Sequence, residues 1–519
     1  MKKILSLLII VIFLANIGQA DIVKTNDDSD WVIMFYFNGD NDLSNIMQTD
    51  INNIKNVGAT ENVRFAILSD SDEIGDTKLY YVEGITLVEQ DWPSESDMGV
   101  PDTIVDFITK VKTDYPATHY CFIPYSNKGA GWQGLIYDQN GDGTMITMPE
   151  LLNAFNTVTN NGADKIDVFF VQSCLCGNLE LRYQMKNCVD YTVGYADCGL
   201  AGDIPYVDIL TELVNDPSMD GAEFAALIVD LFEPAYYPFY DILQSMGAAQ
   251  SDKLDSLANA IDELALLFIE NIDEYRDDIT SAWSDSRIYG GSWDIDYFRD
   301  LQHFLELMTI NDQEFIDAKT NVINAIDKAV IATAVLENDN SVGFNFYFPG
   351  RKTDYNLALR YEDGILPSVY EETEFAINTN WDEFLAVFLD LGLNSPPEKP
   401  TINGPSSGKA RTDYDFDFCS SDPDGDDLYY CVDWGDVSGE VCLGPFPSNT
   451  CITESHTWTS DGTYTIKAKA RDVNLAESDW ATFEVSMPKN KMIYHFNTLF
   501  ERFLQHFSMF EKILNQITL

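Results

Sequence analysis

Positive charge and histidine are scarce in this chain. Its 519 residues hold 31 Lys+Arg against 85 Asp+Glu, a formal net charge of −54, and five histidines. The deficit of basic residues excludes a nucleic-acid binder, because phosphate recognition needs a basic face and no dense Lys/Arg block occurs. Past the N-terminal segment there is no long apolar run either, and nowhere do eighteen apolar residues follow one another as a bilayer span would need. The shortage of histidine bears on chemistry, since imidazole is the usual acid/base near neutral pH. Apolar side chains are not short: 45% of residues are hydrophobic and 13% aromatic, too many for a disordered polyanion. The length suggests two to four domains. The acidity reads either as solubility in a salty or acidic medium or as a surface attracting calcium or cationic partners.

Met1, Lys2 and Lys3 precede an apolar run over 4–17, with Gly18 and Ala20 where a signal peptidase reads small residues. Residues 1–20 are therefore expected to be a secretory signal peptide, and the protein to be exported. Nine cysteines agree with an oxidising destination. Five (Cys121, Cys174, Cys176, Cys188, Cys198) leave one thiol unpaired if the rest pair locally. The other four (Cys419, Cys431, Cys442, Cys451) allow three connectivities, of which a Cys442–Cys451 bridge closing a hairpin-sized loop is favoured.

Residues 31–37 form a continuous apolar run of the kind buried on both faces of a parallel sheet. A helical pattern follows over 43–57, then strands at 63–68, 120–125 and 166–171 alternating with helices at 102–111 and 149–155. Such alternation predicts a parallel sheet with right-handed crossovers. Further on, 253–272 and 311–336 read as long helices, 341–349 as a strand and 381–389 as a closing helix. A Pro-rich linker spans 394–400. Beyond it, over 401–487, short strands separated by Gly/Asp/Ser turns predict an all-β sandwich of roughly seven strands.

Function in an open parallel sheet sits beyond the carboxyl ends of its strands. Two polar turns occupy that place, one around Lys128 and one at Gln172-Ser173-Cys174-Leu175-Cys176. A thiol directly after a buried strand suits a nucleophile, which also needs an acid/base to take its proton and return it to the leaving amine. From position alone Cys174 reads as an ordinary small residue or half of a disulfide rather than as a nucleophile.

The wider pattern adds to this. Asp40-Asn41-Asp42-Leu43 after the first strand, Gly129-Ala130-Gly131-Trp132, the Cys174 turn with Glu180, Ala196-Asp197 with Pro205-Tyr206, and the 343–349 segment resemble elements of the clostripain family of cysteine peptidases, in order and spacing, over about 31–389. The resemblance implies a caspase-like α/β fold over 21–393, a parallel sheet with helices on both faces, and a Cys–His dyad. It also implies calcium dependence and a preference for Arg or Lys before the cleaved bond. Cys174 falls at the nucleophile position, and Trp132 is a candidate substrate contact. Two positions depart. Lys128 stands where the family has its catalytic His, and Gln172 where it has the Asp that holds the basic substrate side chain.

None of the five histidines (His119, His303, His456, His495, His506) replaces the missing one: His119 opens a strand whose far end meets the active edge roughly 20 Å away. A lysine ammonium titrates near 10.4 against about 6.5 for imidazole, so Lys128 could stabilise a thiolate by charge but would not readily shuttle its proton. The departures predict a catalytically degenerate peptidase homologue, acting as a surface-associated protein that binds a peptide or protein ligand. The alternative is an active calcium-dependent cysteine endopeptidase with Cys174 as nucleophile and altered specificity.

Asp138, Asn140 and Asp142, with Gly143, form the first half of an EF-hand-type loop whose twelfth position is Pro149 rather than Glu. It reads equally as a degenerate calcium loop or a plain Asp/Gly turn; no organic cofactor is expected. Within 401–487, residues 421–427 and 430–436, with His456 and Trp458, resemble PKD and related immunoglobulin-like domains, with Val432 where that signature has a Trp. The segment 488–519 carries an apolar stripe at helical spacing and reads as a tag for a cell surface or membrane interface, as a helix docking on a partner, or as a helix packing on its own sandwich.

Overall fold

The computed structural model describes residues 29–487 except 42, 127–130, 140–142, 201, 292–296, 356–368, 392–395, 424, 437 and 474–475. The expected export signal, Lys128, Asn140, Asp142 and the 488–519 segment lie outside the described residues. The chain divides into two compact units, Met1–Asp390 and Leu391–Leu519. Among the described residues no helix is long and apolar enough to cross a membrane.

The first unit is built on strand β1 (Ser29–Asn38), helix α1 (Ser44–Val57), β2 (Val63–Asp70), β3 (Lys78–Glu83), β4 (Thr86–Glu89), α2 (Pro101–Asp114) and β5 (Ala117–Tyr125). The hairpin β6 (Leu135–Asp138) and β7 (Thr144–Ile146) follows, then α3 (Met148–Val158), β8 (Ile166–Val171), α4 (Leu179–Met185), β9 (Val189–Tyr195), α5 (Tyr206–Asn215) and α6 (Gly221–Asp230). β9, β8, β5, β1 and β2 lie side by side and parallel. Antiparallel strands flank them: Ser245–Gln250 and Val330–Val335 beside β9, and β3 and β4 beside β2.

The unbroken apolar sequence of β1 follows from its central place. Val32, Met34 and Tyr36 enter one buried cluster, with α2 and α3, while Ile33, Phe35 and Phe37 enter another, with α1, α5 and α6. Alternate side chains thus feed opposite faces. α1 buries Met47, Ile51 and Ile54 on one stripe and ends at Gly58, whose φ of 86° stops the helix. α3 starts at a capping box in which Thr147 and Glu150 satisfy each other's backbone N–H, with Pro149 in its first turn.

Two elements differ from the sequence expectation. Residues 311–336 are not one helix: Gln313–Ala329 is helical, but Val330–Val335 is a strand. Its β-branched residues pair with Ser245–Gln250, and tertiary pairing overrides the helical period. Of 341–349 only Phe346–Tyr347 is a strand. Phe344, Phe346, Tyr347 and Phe348 are all buried, so the segment is packed on every side and does not alternate.

The second unit is all-β. Thr401–Asn403, Tyr414–Cys419 and Ile452–His456 form one sheet; Glu440–Phe446, Leu428–Asp433, Gly462–Asp472 and Ala481–Met487 form the other. Phe416, Phe418, Trp434, Trp458 and Ile466 fill the core, and Val432 is buried among them. The bridges are Cys419–Cys451 and Cys431–Cys442, not the expected Cys442–Cys451. Register decides this: Cys431 faces Cys442 across one sheet, while Cys419 and Cys451 lie where two strands of the other sheet meet.

Candidate functional site

The carboxyl ends of β1, β2, β5 and β8 converge on one edge of the first unit's sheet. Phe37 pairs with Tyr125, Asn38 with Asp70, and Tyr125 bridges to Gln172. This edge carries the Gln172–Cys176 turn, and the turn is over-determined. Leu175 adopts φ 60°, unusual for a residue with a side chain. Its N–H donates to the Asp197 carbonyl at 3.1 Å. Asn345 donates from Nδ2 to the Leu175 and Ala196 carbonyls at 3.1 and 2.5 Å. Gly131, at φ 65°, packs so close that a Cβ there would lie 3.1 Å from the Leu175 carbonyl oxygen. Behind the turn, α4 is capped by Asn178 and anchored by Arg182. That buried guanidinium donates to the carbonyls of Gly177, Thr192 and Gly247 and to the Thr192 hydroxyl.

Cys174 is half-buried in a cleft of about 40 Å³ whose wall includes Leu43, Tyr125, Ser126, Gln172, Ser173, Tyr195, Gly199 and Leu200. Its thiol points at the Gly199 carbonyl, 3.8 Å away. The buried Cys198 thiol hydrogen-bonds with Cys174; that bond, together with burial, holds Cys198 protonated well above the usual range. Burial likewise pushes up Cys176, whose thiol donates to the Cys174 carbonyl at 3.3 Å. All five cysteines of the unit are free thiols, so the local pairing that would have left one over does not occur. Gln172 is buried, and its Oε1 accepts from the Tyr206 hydroxyl. Behind Tyr195, Asp203 accepts from the Tyr195 hydroxyl, the Leu200 N–H and the Gln244 amide, and burial raises its pKa. Asp50 of α1 is raised to about 7, by burial and then by the charge of Asp203.

The first unit contains two histidines, His119 and His303. His119 pairs with Asp167 at 2.6 Å and stacks on Trp31, at the amino end of β5, opposite to Cys174. His303 accepts from the Arg287 N–H at 2.9 Å. Neither lines the cleft. Trp132 is 1% exposed and packs edge-on against Tyr347 and Tyr370, so its indole belongs to the core rather than to the cleft wall.

Asp138 ends β6 and does not stand in a loop of its own. Its carboxylate lies with those of Asp40 and Asp70, all three buried, their oxygens within 4.8 Å of one another. Hard carboxylate oxygens at this spacing suit a calcium-type ion. Asp40 and Asp70 were missed in the sequence because they belong to two different strand ends, yet both fall on the edge that strand polarity singles out. Asn345 was recognisable only as part of a motif; its task of holding the turn needed coordinates.

The sequence pattern described as the Clostripain family matches residues 35–387. Two solved structures of a secreted C11 cysteine protease from Bacteroides thetaiotaomicron resemble the chain. One, in complex with an irreversible peptide inhibitor, is 18% identical and covers 68% of this chain and 100% of its own, with a TM-score of 0.51. The other, called iotapain, is 14% identical and covers 68% and 99%, with a TM-score of 0.52. At these identities the likeness shows the fold. The PKD domain of an M14-like peptidase from a Thermoplasmatales archaeon is 42% identical over 19% of this chain and 100% of its own, with a TM-score of 0.18. No curated protein matches.

Proposed function

The chain belongs to the clostripain family of cysteine peptidases, and from that premise we propose that it is a catalytically degenerate member whose Cys174 cleft binds peptide without efficient cleavage. The observation that carries this reading is that no imidazole lines the cleft among the described residues: His119 is tied to Asp167 at the opposite end of the sheet, and His303 accepts from Arg287. Lys128 stands at the family's His position in sequence. Loss of general acid/base catalysis costs about two to four decades of rate. Export to the cell surface, with the 488–519 segment as an interface tag, is part of the same reading; the relatives from Bacteroides thetaiotaomicron are described as secreted. Calcium, which family resemblance implies, would be held by Asp40, Asp70 and Asp138, where it would neutralise buried carboxylates. Added calcium should then raise the melting temperature by a few degrees, and Asp70→Asn should abolish the rise.

The rival reading, an active endopeptidase of altered specificity, draws on a half-exposed Cys174 kept at the nucleophile position. Turnover of a mixed peptide library with calcium separates the two. The expected result is no cleavage by wild type and cleavage by the double variant Lys128→His/Gln172→Asp. Wild-type turnover that vanishes in Cys174→Ala would overturn the proposal.

A further inference from the structure

Among the described residues of the cleft, Gln172 and Ser173 each keep a buried side-chain atom without a hydrogen-bond partner, and Gln172 is the one that brings a donor fixed in direction. Its backbone is fixed between strands: the N–H donates to the Pro124 carbonyl at 2.9 Å, and its carbonyl accepts from the Ser126 N–H at 3.4 Å. Its side chain is 4% exposed and lines the same cavity as Cys174. The Tyr206 hydroxyl, itself buried at the start of α5, donates to Oε1 and so sets which way the amide faces. The amide's other end, Nε2, is buried and has no hydrogen-bond partner among the described residues. A buried donor left unpaired is destabilising, and a ligand that brings an acceptor would satisfy it.

Size and charge narrow that ligand. A cleft of about 40 Å³ holds roughly three waters at about 10–15 Å³ each, the size of a short side chain. Among the described residues the wall contains no carboxylate, so a basic side chain would meet an N–H donor where the family supplies an acid. A carboxylate would suit Nε2 but would lie close to Asp203, which binds Tyr195 and Leu200 of the same wall, and to Asp50 behind it. A short neutral amide avoids both penalties. Its carbonyl accepts from Gln172, and Ser173, whose buried hydroxyl has no partner among the described residues, lies on the same wall as an acceptor for its nitrogen.

We propose that the cleft beside Cys174 recognises an asparagine side chain in an extended peptide, with Gln172 as the specificity-determining residue and Tyr206 as the residue that positions it. The proposal rests on the peptide-binding reading above and gives that site its ligand class.

The test uses the intact protein and peptidyl acyloxymethyl ketones ending in Asn, Asp, Ala or Lys. With these, the Cys174 sulfur forms a bond to the ketone methylene, the carboxylate leaves, and the thiol proton passes to buffer. Labelling rate is read by intact mass, and Cys174→Ala identifies the site. The Asn probe should label wild type at least about tenfold faster than the Lys probe, and faster than Asp or Ala. Gln172→Asp should invert the order of Asn and Lys. Tyr206→Phe, which frees Oε1 and lets the amide turn over, should lower the Asn preference several-fold, and it serves as the second variant if melting shows that Gln172→Asp does not fold. Equal or faster labelling by Lys, Asp or Ala in wild type, or no labelling by any probe, would overturn the proposal. Hydrolysis of the matching Asn peptide amide, followed in parallel, keeps the two readings apart. Cleavage with Asn preference would sink the degenerate reading alone, whereas silence without Asn preference in labelling would sink the specificity alone.

Discussion

All five cysteines of the first unit are free, four of them buried, whereas the four of the second are joined in two disulfides. The difference follows what each unit can bury. The first covers a nine-stranded sheet with helices on both faces and packs ring on ring, as where Phe122 stacks on Phe169 with centroids 6.1 Å apart. The second closes two thin sheets over a few aromatic side chains around Trp434 and Trp458. A small core needs covalent staples; a large one leaves its thiols for packing or chemistry. Cys174 and Cys198 lie unbridged at the cleft because nothing in the fold of the first unit calls on them as a brace.

Reduction should therefore split the two units most widely. The bridges close loops of 32 and 11 residues, worth roughly 3–4 and 3 kcal/mol by loop entropy. Calorimetry with and without reductant should show one transition falling sharply and the other unmoved; a joint shift would break the comparison. The reverse selectivity is expected of Arg182→Met. Losing a guanidinium that serves three carbonyls and a hydroxyl should lower only the first unit's stability, by about 3 kcal/mol, read from denaturant midpoints.

The units should also respond to pH with opposite sign. Burial raises Asp50 and Glu180 of the first unit to about 7. An acid whose folded pKa is raised keeps its proton in the native state after the unfolded chain has lost it. Its contribution is full below the unfolded value near 4 and is lost as pH rises through 7. In the second unit Asp436 is lowered: burial opposes the shift, but hydrogen bonds from Ser438 and His456 outweigh it. Its contribution is present above the unfolded value and is lost only as pH falls below about 4. Melting from pH 9 to 5 should raise the first transition and leave the second level. An Asp50→Asn variant that kept the full slope would remove Asp50 from the account.

Sequence made the two units legible unequally. In the first, the apolar run of β1 and the thiol after β8 pointed to a sheet edge, because buried parallel strands have a composition of their own and strand polarity then locates the site. What stayed hidden was the neighbourhood. Cys198, Asp203 and Asn345 come from distant segments, and nothing local in their sequence predicts that they meet around Cys174. The 330–335 strand was hidden for the same reason, since its helical neighbour extends the 3.6-residue period while its partner lies some eighty residues earlier. In the second unit, alternation and turns gave the strands, but the cysteine pairing depended on register, which spacing alone does not fix.

The smallest effect is the sharpest check on the free thiols. Cys121 is fully buried in β5, between Ile33 of β1 and Val168 of β8. Burial pushes its thiol well above the usual range, so it stays neutral and behaves as a small hydrophobe. Cys121→Ala removes one sulfur from a packed layer and should cost about 1 kcal/mol, with no effect on labelling at Cys174. Cys431→Ala, at a site of similar burial in the second unit, removes a bridge as well as a sulfur and should cost several-fold more. If the two substitutions cost the same, as measured by denaturant melts of the whole chain under oxidising conditions, the staples of the second unit are not what holds it together.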